Sequence, residues 1–575
     1  MPRTRTPTAS AATIPPSAKP SQTRRPAADP HAPAVIAIPR RGSPAWLAAR
    51  ARFWATYALA ILLSTAATTA LLAVSLVPDE VEVAAVPARA TTPTLERGEA
   101  APLLAAPEHH GHHARHHHRG PRISMRVADY ARHHGFECTP SFAHTDDGFV
   151  LAIDRITHPT RYDASKPPIV LMHGLFQGSG VFVTSGPHSL AFFLAEHGFA
   201  VYLANNRCDR AVTTFGKTSH HTLRSRRDPT FWDWTLSTLA KHDFPAIVAH
   251  VLANAKAEKL VWIGHSQGNA QAFLGLHYHP HLNAHLVALI ALAPALFMGP
   301  LAGHAGSATC PHATAAARAA REGPFAHLVH LATNRPDTFA TVFGPASVVP
   351  VMHHAQRLLP APVFTALAYR MFKYLFGWTD RHWAHDRKPH YFQFTPRPVS
   401  TRSLAEWLGN VKAGYVRVMA AGGPVDLDGK VTCPTALFSG GRDFLVTTAP
   451  FRDAKARRAM RYGAAAAAAA ACAVGEEGIR RGPPRVGGAR HAPHDSACGV
   501  PSPVAAADAK DGAESDADSA VNGDDHVGGF RAVRDVTLPE YEHMDFLWAK
   551  DAHMRLWPEM LRVIDEAWAA EGRRG

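Results

Sequence analysis

Cysteine is scarce in this chain. Six are spread over 575 residues, at Cys138, Cys208, Cys310, Cys433, Cys472 and Cys498, with no C-x-x-C pair. That spacing gives no footing to a disulfide framework or a zinc site, though it leaves room for one isolated bridge. Acidic residues are also short: 47 Asp plus Glu stand against 60 Lys plus Arg, a formal charge of +13. The imbalance does not indicate nucleic acid. Much of it lies in an N-terminal tail, at Arg3, Arg5, Lys19, Arg24, Arg25, Arg40, Arg41, Arg50 and Arg52. A solvated tail accounts for it. Hydrophobic residues still make up 46%, enough for a large core, and the length allows more than one domain.

Residues 1–52 are rich in Pro, Ala, Thr and Arg without a sustained period, and read as a disordered basic tail. Residues 53–77 are an uncharged run, long enough to cross a ~30 Å hydrocarbon core as a single transmembrane helix. Arg50 and Arg52 precede it; Asp79, Glu80 and Glu82 follow. This bias predicts a single-pass type II signal anchor, N-terminus cytosolic and the rest lumenal or extracellular, in the secretory pathway. A cleaved signal peptide competes, with Ala88-Arg89-Ala90 as the cut site. The long leader and long run favour the anchor. Residues 78–122 form a linker with His109-His110-Gly111-His112-His113 and His116-His117-His118. In a low-complexity stretch these receive no metal assignment.

From residue 123 the texture changes. Thr145-Asp146-Asp147-Gly148 is a hairpin-like turn into 149–153. Strand-like apolar runs follow at 169–172, 199–203, 260–263, 286–292, 434–438 and 536–538. Helix-like segments lie at 189–196, at 232–252 with an interruption at Pro245, at 269–276 and at 554–568. The alternation predicts a mostly parallel sheet with helices on both faces, in two parts, 123–296 and 429–575. Between them, 297–428 is helical and aromatic, with Phe364, Tyr369, Phe372, Tyr374, Phe376, Trp378, Trp383, Tyr391, Phe392 and Phe394. A cap over a site is expected there, most aromatics forming its own core and a few lining an acyl groove. An Ala run opens a Gly-, Pro- and Asp-rich insertion over about 464–529, expected to be disordered.

One stretch organises the rest. Leu260-Val261-Trp262-Ile263 turns through Gly264-His265-Ser266-Gln267-Gly268 into a helix-like segment. Strand, G-x-S-x-G, helix is the pattern of a nucleophile elbow, a turn too tight for a Cβ at the glycines. A serine hydroxyl needs a histidine to take its proton and a carboxylate to fix that histidine's tautomer. In this fold class the chain order is Ser, acid, His. Asp443, in a Gly-rich turn after a strand, and His543, in a loop after the last strand, fit that order. Asp545, Asp426 and Asp428 compete as the acid; two residues from His543, Asp545 better suits bracing its own loop. The oxyanion needs two N–H donors. Gln267 follows the nucleophile, and Leu175 follows the strand that ends at His173-Gly174.

Matching segments are spread over residues 123–575: His134-Gly135-Phe136-Glu137, Asn205-Asn206-Arg207, Phe231-Trp232-Asp233, His242-Asp243-Phe244-Pro245-Ala246, Gly440-Gly441-Arg442-Asp443 and His543-Met544-Asp545-Phe546 join the elbow. With them the chain resembles the acid lipases of the α/β-hydrolase superfamily, the gastric and lysosomal group, and especially their membrane-anchored fungal-type steryl ester hydrolases and triacylglycerol lipases. The resemblance implies an α/β-hydrolase fold with a helical cap. It implies Ser266, Asp443 and His543 as catalytic residues, Leu175 and Gln267 at the oxyanion hole, and no cofactor or metal. It implies a neutral lipid ester as substrate, at a membrane or lipid-droplet surface. Two departures stand out. Asp443 and His543 are 100 residues apart, where the family has a few tens, and the 464–529 insertion accounts for the excess. The start of the cap matches weakly, so substrate choice is the least legible part.

Overall fold

The run 286–292 is apolar at every position, which suits a strand covered on both faces. The computed structural model describes residues 123–207, 229–299, 324–344, 350–418, 422–461 and 530–573, with scattered positions between 44 and 73. The strands are β1 (Glu137–His144), β2 (Val150–Thr157), β3 (Ile169–Met172), β4 (Val201–Ala204), β5 (Leu260–His265), β6 (Leu286–Leu292), β7 (Thr435–Gly440) and β8 (Arg534–Leu538). They form one sheet in the order β1-β2-β4-β3-β5-β6-β7-β8. β1 and β2 pair antiparallel, as do β2 and β4; every later pair is parallel. β3, β4, β5 and β6 are buried at every residue, as the unbroken apolar runs predict.

The edge strand β1 has no such run. Its half-exposed sequence, Glu137-Cys138-Thr139-Pro140-Ser141, carries no hydrophobic signal. Pro140 is tolerated there because an edge strand has backbone donors to spare.

The sheet is dressed by α1 (Val127–His133), α2 (Leu190–Glu196), α3 (Phe244–Ala255) and α4 (Gln267–Tyr278). The helix expected over 232–252 is broken: a short turn at Leu236–Thr238 and a π-turn at Leu239–Asp243 precede α3. Pro245 sits in the first turn of α3, where its missing N–H costs nothing. The described part of 297–428 holds α5 (Pro324–Asn334), α6 (Pro336–Phe343), α7 (Pro350–Leu358), α8 (Ala361–Phe376) and α9 (Thr401–Ala413). Trp383, Tyr391, Phe392 and Phe394 are buried there, Trp383 and Tyr391 packing on Trp548. The chain closes with α10 (Trp557–Gly572), which packs on β6. It starts later than 554 because Pro558 occupies its first turn.

Several shared segments prove to be scaffold. Arg207 is 1% exposed, yet it is fully engaged. Its guanidinium donates to Asp243 at 2.5 and 2.9 Å and to Asp147 at 2.6 and 3.0 Å. It also lies 4.0 Å from the centre of the Phe149 ring. One buried cation thus ties the end of β4 to the β1–β2 turn and to the start of α3.

Residues Met1–Trp54 and Ala55–Gly575 divide into two units. Of the first, only positions 44, 47, 48 and 51 are described, all helical. The remainder of the expected tail, the linker 78–122 and the insertion 464–529 lie outside the described residues. Within 53–77 only isolated positions are described, each helical. Among the described residues no helix is long and apolar enough to cross a membrane.

Candidate active site

The elbow forms because its two glycines leave room for nothing else. A Cβ on Gly264 would stand 2.8 Å from the Asn269 nitrogen, and one on Gly268 would stand 2.4 Å from the Met172 carbonyl oxygen. Between them Ser266 adopts φ 53°, ψ −114°, a conformation that L residues rarely hold and that functional turns retain. Its N–H donates to the Leu292 carbonyl at 3.0 Å, fixing the turn to the end of β6. The strain therefore goes into presenting Oγ at the carboxyl edge of the sheet.

His543 and Asp443 arrive from the loops after β8 and β7. Asp443 Oδ1 accepts the Leu445 and Val446 N–H groups at 3.0 and 3.2 Å. Its Oδ2 faces His543 Nδ1 at 2.7 Å, and His543 Nε2 lies 2.9 Å from Ser266 Oγ. A carboxylate can only accept, so Nδ1 carries the proton and Nε2 offers its lone pair to the serine hydroxyl. Ser266, Asp443 and His543 are 7%, 8% and 2% exposed, so these bonds form largely out of water.

The competing carboxylates point elsewhere. Asp426 caps a turn at the Gly429 N–H and pairs with Arg461. Asp428 pairs with Arg457 and Arg461. Asp545 accepts the Glu542 N–H at 2.7 Å and the Trp383 indole N–H at 3.0 Å; burial pushes its carboxyl up to about 7. Leu175 lines the same cavity as Ser266. Gln267 opens α4 directly after Ser266, where first-turn N–H groups have no helical partner. Its side chain is held by the Trp407 indole N–H at 2.6 Å.

Three neighbours were not legible beforehand. His265 is fully enclosed; its Nε2–H donates to the His543 carbonyl at 3.0 Å, and Gln177 lies 3.2 Å from its Nδ1. Burial, with His543 beside it, lowers His265 to about 3, so it stays neutral. Gln177 also accepts the Gly174 N–H at 2.8 Å. Trp378 stacks on His543 with ring centres 5.6 Å apart. His265 lay within the elbow motif, and Trp378 lay among many aromatics. Gln177 has no sequence signal. The cavity over Ser266 measures about 100 Å³, with Phe372, Phe376, Trp378, Trp407 and Val411 among its walls.

Two family models match the chain: a partial alpha/beta-hydrolase lipase region over residues 127–186, and the alpha/beta hydrolase fold over 167–446. These matches, with the relatives that follow, are consistent with an acid-lipase-like α/β-hydrolase. It is 31% identical over 292 residues to sterol esterase 2 of Saccharomyces cerevisiae, covering 48% of this chain and 49% of that protein. It is 25% identical to human lipase member M, covering 56% of this chain and 75% of the relative. Human lysosomal acid lipase/cholesteryl ester hydrolase is 32% identical over 178 residues, covering 30% of this chain and 43% of the relative. The chain thus spans about half the length of the yeast relative that it matches.

Proposed function

We propose that this chain is a serine lipase that hydrolyses neutral lipid esters, sterol esters or triacylglycerols, through an acyl-enzyme. The observation that carries the reading is the continuous chain of bonds from Asp443 through His543 to Ser266. His543 Nε2 takes the hydroxyl proton as Ser266 Oγ bonds to the acyl carbon. The carbonyl oxygen gains the charge and is held by the Gln267 and Leu175 N–H groups. The tetrahedral species collapses, the C–O bond to the alcohol breaks, and His543 returns its proton to the departing oxygen. Water then repeats the sequence on the acyl-enzyme and releases the fatty acid. Every step uses groups of this chain and water.

The apolar cavity walls suit an acyl chain, and relatives named for sterol ester and lipid hydrolysis support the substrate class. A transmembrane anchor at 53–77 with a cytosolic N-terminus, and work at a membrane or lipid-droplet surface, complete the proposal. One observation favours a second reading, a small-molecule esterase: about 100 Å³ is below the roughly 300–1,000 Å³ of typical ligand pockets. Purified full-length protein should be assayed side by side on cholesteryl oleate, triolein and p-nitrophenyl butyrate, with a fluorophosphonate probe in parallel. Labelling at Ser266 with turnover of a long-chain ester is expected. Turnover of the soluble ester alone would favour the second reading, and no labelling of folded protein would sink both.

A further inference from the structure

Two carboxylates flank His543 within two residues, and neither bonds to its ring. Glu542 reaches into the cap instead: its Oε2 accepts the Thr379 N–H at 2.6 Å and its Oε1 the Thr379 hydroxyl at 2.8 Å. Asp545 Oδ1 accepts the Trp383 indole N–H at 3.0 Å. The seam continues through the Lys550 N–H, which donates to the His382 carbonyl at 2.9 Å, and a bridge between Trp383 and Ala549. Cap residues 379–383 are therefore stitched along the loop that carries His543.

Trp378 is the residue just before that seam. Its ring lies nearly parallel to the His543 imidazole, 11° off, with centres 5.6 Å apart. Phe376 backs it at 4.6 Å and 22°. Asp443 and Ser266 hold the imidazole at its two nitrogens, and the His265 ring meets it only obliquely, 53° off with centres 5.1 Å apart, which leaves rocking about the line between the nitrogens weakly opposed. A flat ring against its face opposes that rocking. When the imidazole takes the serine proton it becomes a cation within ~6 Å of an indole face, the arrangement in which a cation and a π-system attract.

We propose that Trp378 is a positioning residue for the base: the latch that Glu542 and Asp545 close on the cap sets its indole against His543, fixing the imidazole plane and stabilising the imidazolium. This rests on the reading of Ser266 and His543 as nucleophile and base.

The test compares Trp378→Leu with Trp378→Phe in full-length protein, using p-nitrophenyl acetate, an ester too short to need the acyl walls. For Trp378→Leu, kcat should fall roughly 2- to 30-fold with KM within about twofold, at unchanged Tm. Trp378→Phe, which keeps an aromatic face, should recover most of the loss. Equal rates for the two variants, or a change confined to KM, would show Trp378 to be only a pocket wall and would overturn the proposal. Trp383→Phe removes the latch donor; it should lower kcat alone and add little on the Trp378→Leu background, because it acts through Trp378. Full additivity would overturn the latch. Fluorophosphonate labelling separates the two readings: labelled native protein with equal Leu and Phe variants refutes only this inference, whereas unlabelled native protein refutes the hydrolase reading itself.

Discussion

Asp443→Asn is the sharpest single test of the site, because the structure dictates how the new amide must sit. Asp443 Oδ1 accepts two backbone N–H groups, from Leu445 and Val446. An amide NH₂ cannot accept, so the substituted side chain must keep its oxygen there and turn its nitrogen toward His543. That nitrogen is a donor where a carboxylate oxygen accepted at 2.7 Å. His543 must then present a bare Nδ1 and carry its proton on Nε2, which faces Ser266. The base is blocked in the wrong tautomer while volume and packing stay nearly constant. Loss of the correct tautomer in a Ser-His-Asp system lowers kcat by ~10⁴-fold, about 5.5 kcal/mol of barrier at 1.36 kcal/mol per tenfold. The assay is kcat and KM for p-nitrophenyl butyrate, with thermal unfolding to show an intact fold. KM should move little. Asp545→Asn, run beside it, should retain activity within about tenfold, since Asp545 does not bond to the His543 ring. If Asp443→Asn kept a tenth of the native rate while Asp545→Asn was crippled, the assignment of the acid would be wrong.

Three further outcomes are expected. Asp243→Ala should destabilise the fold by about 3–5 kcal/mol in a urea titration, because it strands half of a buried guanidinium; a change below about 1 kcal/mol would mean the Arg207 cluster does not hold the scaffold. Burial raises the Asp545 carboxyl to about 7 in the folded state, against ~3.9 unfolded. Its contribution to stability is therefore full below pH ~4 and lost as pH rises through about 7, up to on the order of 4 kcal/mol. The stability gap between native protein and Asp545→Asn should change across that window, and a constant gap would refute the raised value. Both flanks of the insertion meet one carboxylate: Asp428 receives the Phe530 N–H at 2.9 Å and Arg461 at 2.5 Å. Replacing residues 464–529 by a short Gly-Ser linker should leave esterase activity within a few-fold, and loss of folded protein would show that the segment is structural.

The sequence alone was most legible where chemistry constrains the chain locally. Gly264 and Gly268 are glycines because backbone occupies the space a Cβ would fill, so the elbow is written in five consecutive residues. The core strands could be read because burial on both faces demands unbroken apolar runs. β1 could not, because an edge strand has no such demand. Asp443 and His543 were reachable through chain order after strands, a topological rule, although 100 residues separate them.

What tertiary structure decided is everything that depends on side chains meeting across the chain. Asp426, Asp428, Asp443 and Asp545 are the same residue type in similar loops, and only packing shows which one faces the His543 imidazole. Gln177 carries no local signal, because its role comes from joining its own loop after β3, at Gly174, to His265 of the elbow. Trp378 looked like one cap aromatic among ten until Glu542 and Asp545 were seen to draw its segment onto the loop of His543. Local sequence dictates the kinds of group a site can use and the turns that present them. Which groups touch is settled by the close packing of distant segments, and no local pattern records that.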